Sequence, residues 1–531
     1  MRRPLIALTL AVLAAAPARA QFGGQPSGFT VENPVMRRIW ALGMDSSQVQ
    51  RYGQVLLDSI GPRLVGSPGM DAAQQWLVAT YQQLGITARR EQYGAWRGWR
   101  RGRTHVDLIA PRARSLEAMM LAWSPGTGNR PVRGEVLLLP DVADSAAFAA
   151  WLPQARGKFV MVSFPQPTCR PDTALAGHAS RDVIDRLRAR RDTLQRAWQQ
   201  RVGRTGIAAS GTSGSRMTRV LEQAGVAGVL TSTWSQGYGS TRVFGTDTER
   251  APVLDIGCED YGLLARLAEN RQGPAIEVTA DAQALPVAPS FNVIAEIPGT
   301  DLPNEYVLLS AHLDSWDGAS GATDNGTGTV IMLEAMRLLK AAVPSPRRTI
   351  LVGHWNSEEQ GLNGSAAFAA DHPQVVEGLQ ASFTQDFGTG RINGISAGGL
   401  YLATGNLARW LSAMPGELTR GLSFGLPGSP SGGGSDFASF ICSGAPGWAL
   451  GTDFVDYFSY TWHTTRDTYD KVLWDEIRSN AVFTAMIAYL ASEDAERVPR
   501  DRRTVLQPGP GGQPGRWPTC PTAIRATPQP Q

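Results

Sequence analysis

The stretch 306–314, Tyr-Val-Leu-Leu-Ser-Ala-His-Leu-Asp, decides the fold. Its first six residues are short and mostly apolar, the pattern of a strand buried on both faces, and such strands belong to parallel sheets covered by helices. The run then delivers His312 and Asp314 at its carboxyl end, where an open α/β sheet presents its ligand groups. Two further runs repeat the plan. Residues 350–353 are followed by His354-Trp355-Asn356-Ser357-Glu358-Glu359, and residues 381–385 by Asp386-Phe387-Gly388. Helical patterns at 330–339 and near Ala366 alternate with these runs, as βαβ units demand. The fold expected is α/β, with a mixed, mostly parallel sheet flanked by helices.

The groups at these strand ends point to hydrolytic metal chemistry. His312 reads as a ligand, and Asp314 reads as the carboxylate that fixes the other nitrogen of its ring. Asp324 closes a glycine-rich loop just before the 330–339 helix, and its two oxygens can bridge two cations. An isolated Glu-Glu pair is usually a solvated turn. In this context one glutamate can take a proton from an attacking water while its neighbour binds metal, so Glu358 and Glu359 divide those roles. Asp386 reads as a further ligand. His463 completes the inventory, because the other groups lack a partner without it. Spacing alone leaves the pairing open. A first pairing sets His312 with Glu359 and Asp386 with His463, with Asp324 shared.

The segments HLDSWDGASGATDNGTG (312–328), NSEEQGLNGS (356–365), QDFGTG (385–390) and WHTTRDTYDKV (462–472) resemble the motifs of the secreted co-catalytic di-zinc exopeptidases, which include bacterial leucyl-type aminopeptidases and carboxypeptidase Q. The resemblance covers about 286–490. It implies two zinc ions per chain, one held by His312, Asp324 and Asp386 and the other by Asp324, Glu359 and His463, with Glu358 as general base. It thus replaces the first pairing. A cis peptide after the bridging aspartate is implied at Asp324-Asn325, where many relatives have Asp as the second residue. The stretch 429–440 resembles a segment whose Ser-Asp pair lies near the ligands, which makes Asp436 a candidate for orienting substrate or a ligand. Tyr457, Tyr460 and Trp462 are candidates for a specificity pocket. His354, His372, His105 and His178 are assigned no metal.

The amino terminus reads as a secretory leader. Met1-Arg2-Arg3 is positive, 5–16 is mostly apolar, and Ala18-Arg19-Ala20 is a small-x-small cleavage signature, so the mature chain is expected from Gln21 in a periplasmic or extracellular compartment. No other run approaches the length of a membrane span. A net charge of +3 is too small to argue for nucleic acid or a membrane surface. The cluster Arg97, Arg100, Arg101 and Arg103 with Trp96 and Trp99 reads as a solvated face with edge aromatics. Cys169, Cys258, Cys442 and Cys520 allow two disulfides in three pairings, and their wide separation argues against a cysteine zinc site.

The domain plan expected is a leader at 1–20, a flexible segment at 21–34, a catalytic domain split between 35–124 and 286–495, an insert at 125–285 and a Pro/Gly-rich tail at 496–531. Helical patterns at 35–42, 47–60 and 70–84 begin the catalytic part. In the insert, short β-like runs at 134–139, 158–164, 227–231 and 251–256 surround a charged helix at 182–201. The phrases GKFVMVSF and AGVAGVLTST resemble a protease-associated domain, so a β-rich insert that caps or restricts the cleft is expected. The function implied is hydrolysis of the terminal bond of short peptides or dipeptides. Weighed against it are a binding protein that has lost its ligands and a single-zinc aminoacyl cyclase or transferase, and the full ligand set disfavours both. The partners that follow are a peptide substrate, no nucleic acid and no membrane span, with a homodimer left open. Side-chain preference, and aminopeptidase against carboxypeptidase action, stay open.

Overall fold

Strand Leu302–His312 pairs in parallel with Arg348–Trp355 on one side and with Leu379–Thr384 on the other, and the latter pairs in parallel with Gly447–Thr452. Residues 307–312 are buried throughout, as the unbroken apolar run requires. In this computed structural model the described residues are 32–128, 130–207, 215–386, 388–502, 506 and 515–527. The leader reading and most of the 21–34 segment lie outside them. Strand Ala275–Ile297 joins Arg348–Trp355 antiparallel, so the sheet is mixed and mostly parallel, as expected.

Helices cover both faces. Thr327–Ala342, Trp474–Glu493 and Pro34–Asp45 pack on one, burying Leu333, Met336, Ile477, Phe483 and Met486 against Val307, Leu309 and Phe383 of the strands. Fully burying each such side chain contributes roughly 1.5–3 kcal/mol. Across the sheet, Trp355, Phe368 and Phe440 form a second core, and the Trp355 indole N–H donates to Ser310 Oγ at 2.7 Å. His354, fully buried, lies 2.7 Å from the Tyr81 hydroxyl through Nε2. That buried contact with Tyr81 gives it a packing role.

A long antiparallel ribbon, Thr87–Ala110 with Ala275–Ile297, links this sheet to a second set of strands. One end of Ala275–Ile297 pairs with Arg348–Trp355 and the other with Val132–Leu138. Beyond it lie Phe159–Met161, Gly228–Thr231 and Val253–Ile256, all parallel. Helices Arg181–Arg204, Ser215–Gln223 and Cys258–Glu269 accompany them. The segment expected to be β-rich is therefore an α/β layer in which helices outweigh strands. The reading of the arginine and tryptophan cluster also needs correction. Trp96 and Trp99 are only 5% and 3% exposed, and Arg101 forms a two-pronged ion pair with Asp317 at 2.6 and 2.9 Å.

The cysteines pair as Cys169–Cys258 and Cys442–Cys520. The second bridge ties down the described part of the tail. Trp517 donates to the Ile441 and Cys442 carbonyls, Ile524 N–H to Asn363 Oδ1, and Arg525 pairs with Asp371. Among the described residues no helix is long and apolar enough to cross a membrane.

Candidate metal centre

Strand ends at the carboxyl edge of the sheet bring the candidate ligands together. His312 ends its strand with its side chain 1% exposed. The Asp314 carbonyl oxygen, 2.9 Å away, accepts the Nδ1–H, which leaves Nε2 facing Asp386 Oδ1 at 2.8 Å, Asp324 Oδ1 at 3.4 Å and Glu358 Oε2 at 4.0 Å. The carboxylate of Asp314 was expected to hold this ring, and it lies 3.6 Å from Nδ1. Its two oxygens instead accept the backbone N–H groups of Glu358 and Glu359, at 3.1 and 3.2 Å. Ser357, at φ +64°, turns the chain out of strand Arg348–Trp355 so that both groups reach that carboxylate. Asp314 therefore positions the glutamate pair with its side chain and His312 with its backbone.

Asp324 sits in a π-turn, Ala322–Gly326, that opens into helix Thr327–Ala342, and its own φ/ψ of −134°/90° is not helical. Three neighbours fix that turn. Asp467 accepts the N–H groups of Thr323 and Asp324 at 2.7 and 3.1 Å. Arg63, fully buried, donates to the carbonyls of Gly61, Leu313, Ser320 and Gly321 at 2.6–2.9 Å. Asn325 follows a cis peptide at Asp324-Asn325. Its amide donates to the Gln385 carbonyl at 2.9 Å, and its oxygen accepts Gly328 N–H at 3.0 Å. An aspartate could not make the first of these bonds, so Asn325 ties Asp324 to the strand end that carries Asp386.

His463, at φ +60°, approaches from the opposite side, with Nε2 2.9 Å from Glu359 Oε2 and 3.2 Å from Asp324 Oδ2. Two triads result, His312–Asp324–Asp386 and Asp324–Glu359–His463, and within each the ligand atoms lie within 4.8 Å of one another. The candidate ligands are thus grouped in the sets that the resemblance implied, with His312 beside Asp386 and Glu359 beside His463.

Burial sets the electrostatics. It pushes the Glu359 carboxyl up to about 7, against the pull of His463, and raises Glu358 well above the usual carboxylate range despite His312. For Asp324 burial also raises the pKa, but hydrogen bonds from His312 and His463 reverse this and hold it low. Burial lowers His463, and Glu359 and Asp324 outweigh it to bring the imidazole up to about 9. Glu359 Oε1 is buried without a hydrogen-bond partner, and Asp324 Oδ2 meets only the His463 imidazole, at 3.2 Å. Inward-facing carboxylates of this kind are costly unless a cation pairs them. Two imidazoles and three carboxylates form a donor set that suits zinc.

The two triads open on one cleft of about 630 Å³, lined by Asp324, Glu358, Glu359, Asp386 and His463 on its polar floor and by Leu362, Tyr457, Phe458 and Trp462 on its walls, with glycines 361, 433 and 434. Tyr457 and Trp462 lie where sequence reading looked for specificity. Tyr460 does not line the cleft, and its ring packs by Gly237. Asp436 is fully buried and off the lining, which removes it from substrate contact. Burial pushes its carboxyl up to about 8, against the pull of His312. Phe458 as a wall and Asp467 as a brace carry no sequence signal that was read, and Arg63 belongs to the loop 61–67 that was expected only to frame the sheet. Asp467 lay in plain view in the 462–472 motif, four residues after His463.

Residues 292–488 match the model of peptidase family M28. Over 447 residues the chain is 27% identical to carboxypeptidase Q of Homo sapiens, covering 84% of this chain and 85% of that protein. The fold is similar to that of a peptidase M28 precursor from Shewanella amazonensis, with TM-score 0.63 and 23% identity over 88% of this chain and 97% of that one. It is also similar to a zinc aminopeptidase from Bacillus subtilis, with TM-score 0.53 and 16% identity over 85% and 96% of the two chains.

Proposed function

From the match of residues 292–488 to the model of peptidase family M28, we propose that the chain is a member of that family and a secreted or periplasmic two-zinc exopeptidase acting on short peptides with a free amino end. The observation that carries the reading is the pair of triads sharing Asp324, open to one cleft that Glu358 also lines. Two zinc ions held there would acidify a water in the cleft, polarise the scissile carbonyl and offset charge developing on its oxygen. The chain's own groups do the rest. Glu358, raised by burial, is placed to accept the proton of the attacking water and to return it to the leaving amine. Asp314 holds its backbone for that task. Tyr457, Phe458 and Trp462 give the substrate side chain an apolar wall and keep bulk water from the floor.

Charge supports recognition of the amino end. The described lining offers neither lysine nor arginine, so a substrate's terminal carboxylate finds no cationic side chain there. Similarity to carboxypeptidase Q over most of the chain favours a second reading, release of a carboxyl-terminal residue. A screen of free, amino-blocked and carboxyl-blocked dipeptides decides between them. The proposal predicts that amino-blocking abolishes turnover and carboxyl-blocking spares it, and the reverse pattern overturns it.

A further inference from the structure

The two histidines of the centre are held in different ways. A metal-bound imidazole ordinarily donates its other N–H to an oxygen, which fixes tautomer and ring angle. His312 follows that rule through the Asp314 carbonyl. His463 does not, because its Nδ1 is buried with no hydrogen-bond partner among the described residues. Aromatic rings hold it instead. Trp462 stacks on it at 4.0 Å between centroids, Phe244 meets it edge-on at 5.1 Å, and Trp316 lies 6.0 Å away. Trp316 and Trp462 belong to the 286–490 region that also carries the ligands. Phe244 comes from the second layer of strands, beyond the ribbon.

Phe244 does not arrive alone. Val243 N–H donates to the His463 carbonyl at 2.8 Å, directly at the residue with φ +60°. Arg242 donates to the Phe458 carbonyl at 2.8 Å, and its guanidinium lies 4.8 Å from the Trp462 ring centroid. Thr465 N–H donates to the Thr241 carbonyl at 3.0 Å, and Ser235 Oγ to the Ser459 carbonyl at 2.7 Å. The base of this clamp is itself fixed, since the buried Asp255 accepts the N–H groups of Arg242 and Thr233 at 3.0 and 2.9 Å. Residues on both sides of His463 are thus gripped by one segment from the other layer.

We infer that the segment 235–246 is a positioning device for the metal centre, in which Phe244 and Val243 orient His463 and Arg242 sets the cleft wall formed by Phe458 and Trp462. The second layer of strands then completes one of the two cation sites without supplying a ligand. The inference rests on the reading of His463 as a ligand. A backbone at positive φ with an unpaired ring nitrogen has little of its own to hold the imidazole toward Glu359 and Asp324, and external packing supplies the constraint.

The test is competition for Zn²⁺ and Co²⁺ against a chromophoric chelator, in the full chain, for wild type, Phe244→Ala, Phe244→Leu and Phe244→Tyr. Loss of outer-shell support typically costs 10- to 100-fold in metal affinity. Phe244→Leu, which keeps an apolar side chain and loses the ring edge, is expected to weaken one of the two sites by about that factor and leave the other within about twofold. Phe244→Tyr is expected to restore it, and the Co²⁺ absorption of the weakened site to shift. Val278→Ala, in the same core but on the ribbon strand, is expected to lower the melting temperature without changing either affinity. Arg242→Ala is expected to raise KM more than it lowers kcat. Two unchanged affinities in Phe244→Leu, or equal losses at both sites, overturn the inference. A wild type that binds fewer than two ions strikes instead at the two-metal reading on which it rests.

Discussion

Replacing Asp314 by Asn separates what the structure assigns to this residue from what its position two residues after His312 suggests. Asp314 is fully buried, and its oxygens each accept one backbone N–H, from Glu358 at 3.1 Å and from Glu359 at 3.2 Å. Asparagine keeps one acceptor and turns an NH₂ group toward the other N–H, so one charge-assisted bond is lost. Such bonds are worth about 1.5–3 kcal/mol. At about 1.4 kcal/mol per decade, a turn displaced by that amount lowers kcat/KM by roughly 10- to 150-fold. His312 keeps its Nδ1–H bond, because the acceptor is the residue 314 carbonyl and the substitution leaves it in place. The assay is steady-state turnover of a free dipeptide, with chelator competition for each metal. The expected pattern is a loss of turnover with affinity at the His312–Asp324–Asp386 site within about threefold of wild type. Loss confined to that site would mean that the carboxylate orients His312, and turnover within about twofold of wild type would refute the reasoning altogether.

Other substitutions probe neighbouring claims. Glu358→Gln is expected to retain both cations, since Glu358 is in neither triad, and to lose turnover by about 10²–10⁴-fold, as removal of a general base does; near-normal kcat would remove Glu358 from that role. Asn325→Asp replaces the donor to the Gln385 carbonyl with a carboxylate facing it, which should cost about 1–3 kcal/mol in denaturant unfolding, and an unchanged midpoint would dismiss the tie. Burial lowers the His354 imidazole to about 3. The folded state therefore binds its proton less readily than the unfolded chain, and stability is full above about pH 6.5 and falls as pH drops toward 3. Between pH 7 and 5 the loss due to this group is about 2 kcal/mol. His354→Gln should remove that part of the slope, and an identical slope in the variant would contradict the assignment.

The catalytic sheet was legible because its strands are short apolar runs buried on both faces, and each ends in a polar group that a core cannot hold without a purpose. His312, Glu358, Glu359 and Asp386 follow from that rule directly. The metal pairing did not follow from it, since which carboxylate meets which imidazole depends on crossings between strands far apart in sequence. The ribbon Thr87–Ala110 was missed for a local reason. Bulges between residues 92 and 94, 96 and 98, and 101 and 104 break its period of two, so Trp96 and Trp99 fall out of alternation and read as surface residues among arginines. Arg101 is neutralised by Asp317, more than two hundred residues away in the chain, and no local pattern signals that. The loop 61–67 resembles an early family segment expected to frame the sheet, but the bracing roles of Arg63 within it and of Asp467 were not legible, because their partners are backbone groups of a distant loop. Phe244 reaches His463 from a segment whose own sequence carries no ligand.

The central claim is that two cations share Asp324, and metal titration tests it most directly. Enzyme freed of metal by chelation is titrated with Zn²⁺ while dipeptide turnover and elemental content are followed on the same samples. The account predicts that turnover rises steeply to a plateau near two zinc ions per chain. Full turnover at one ion or none would contradict it.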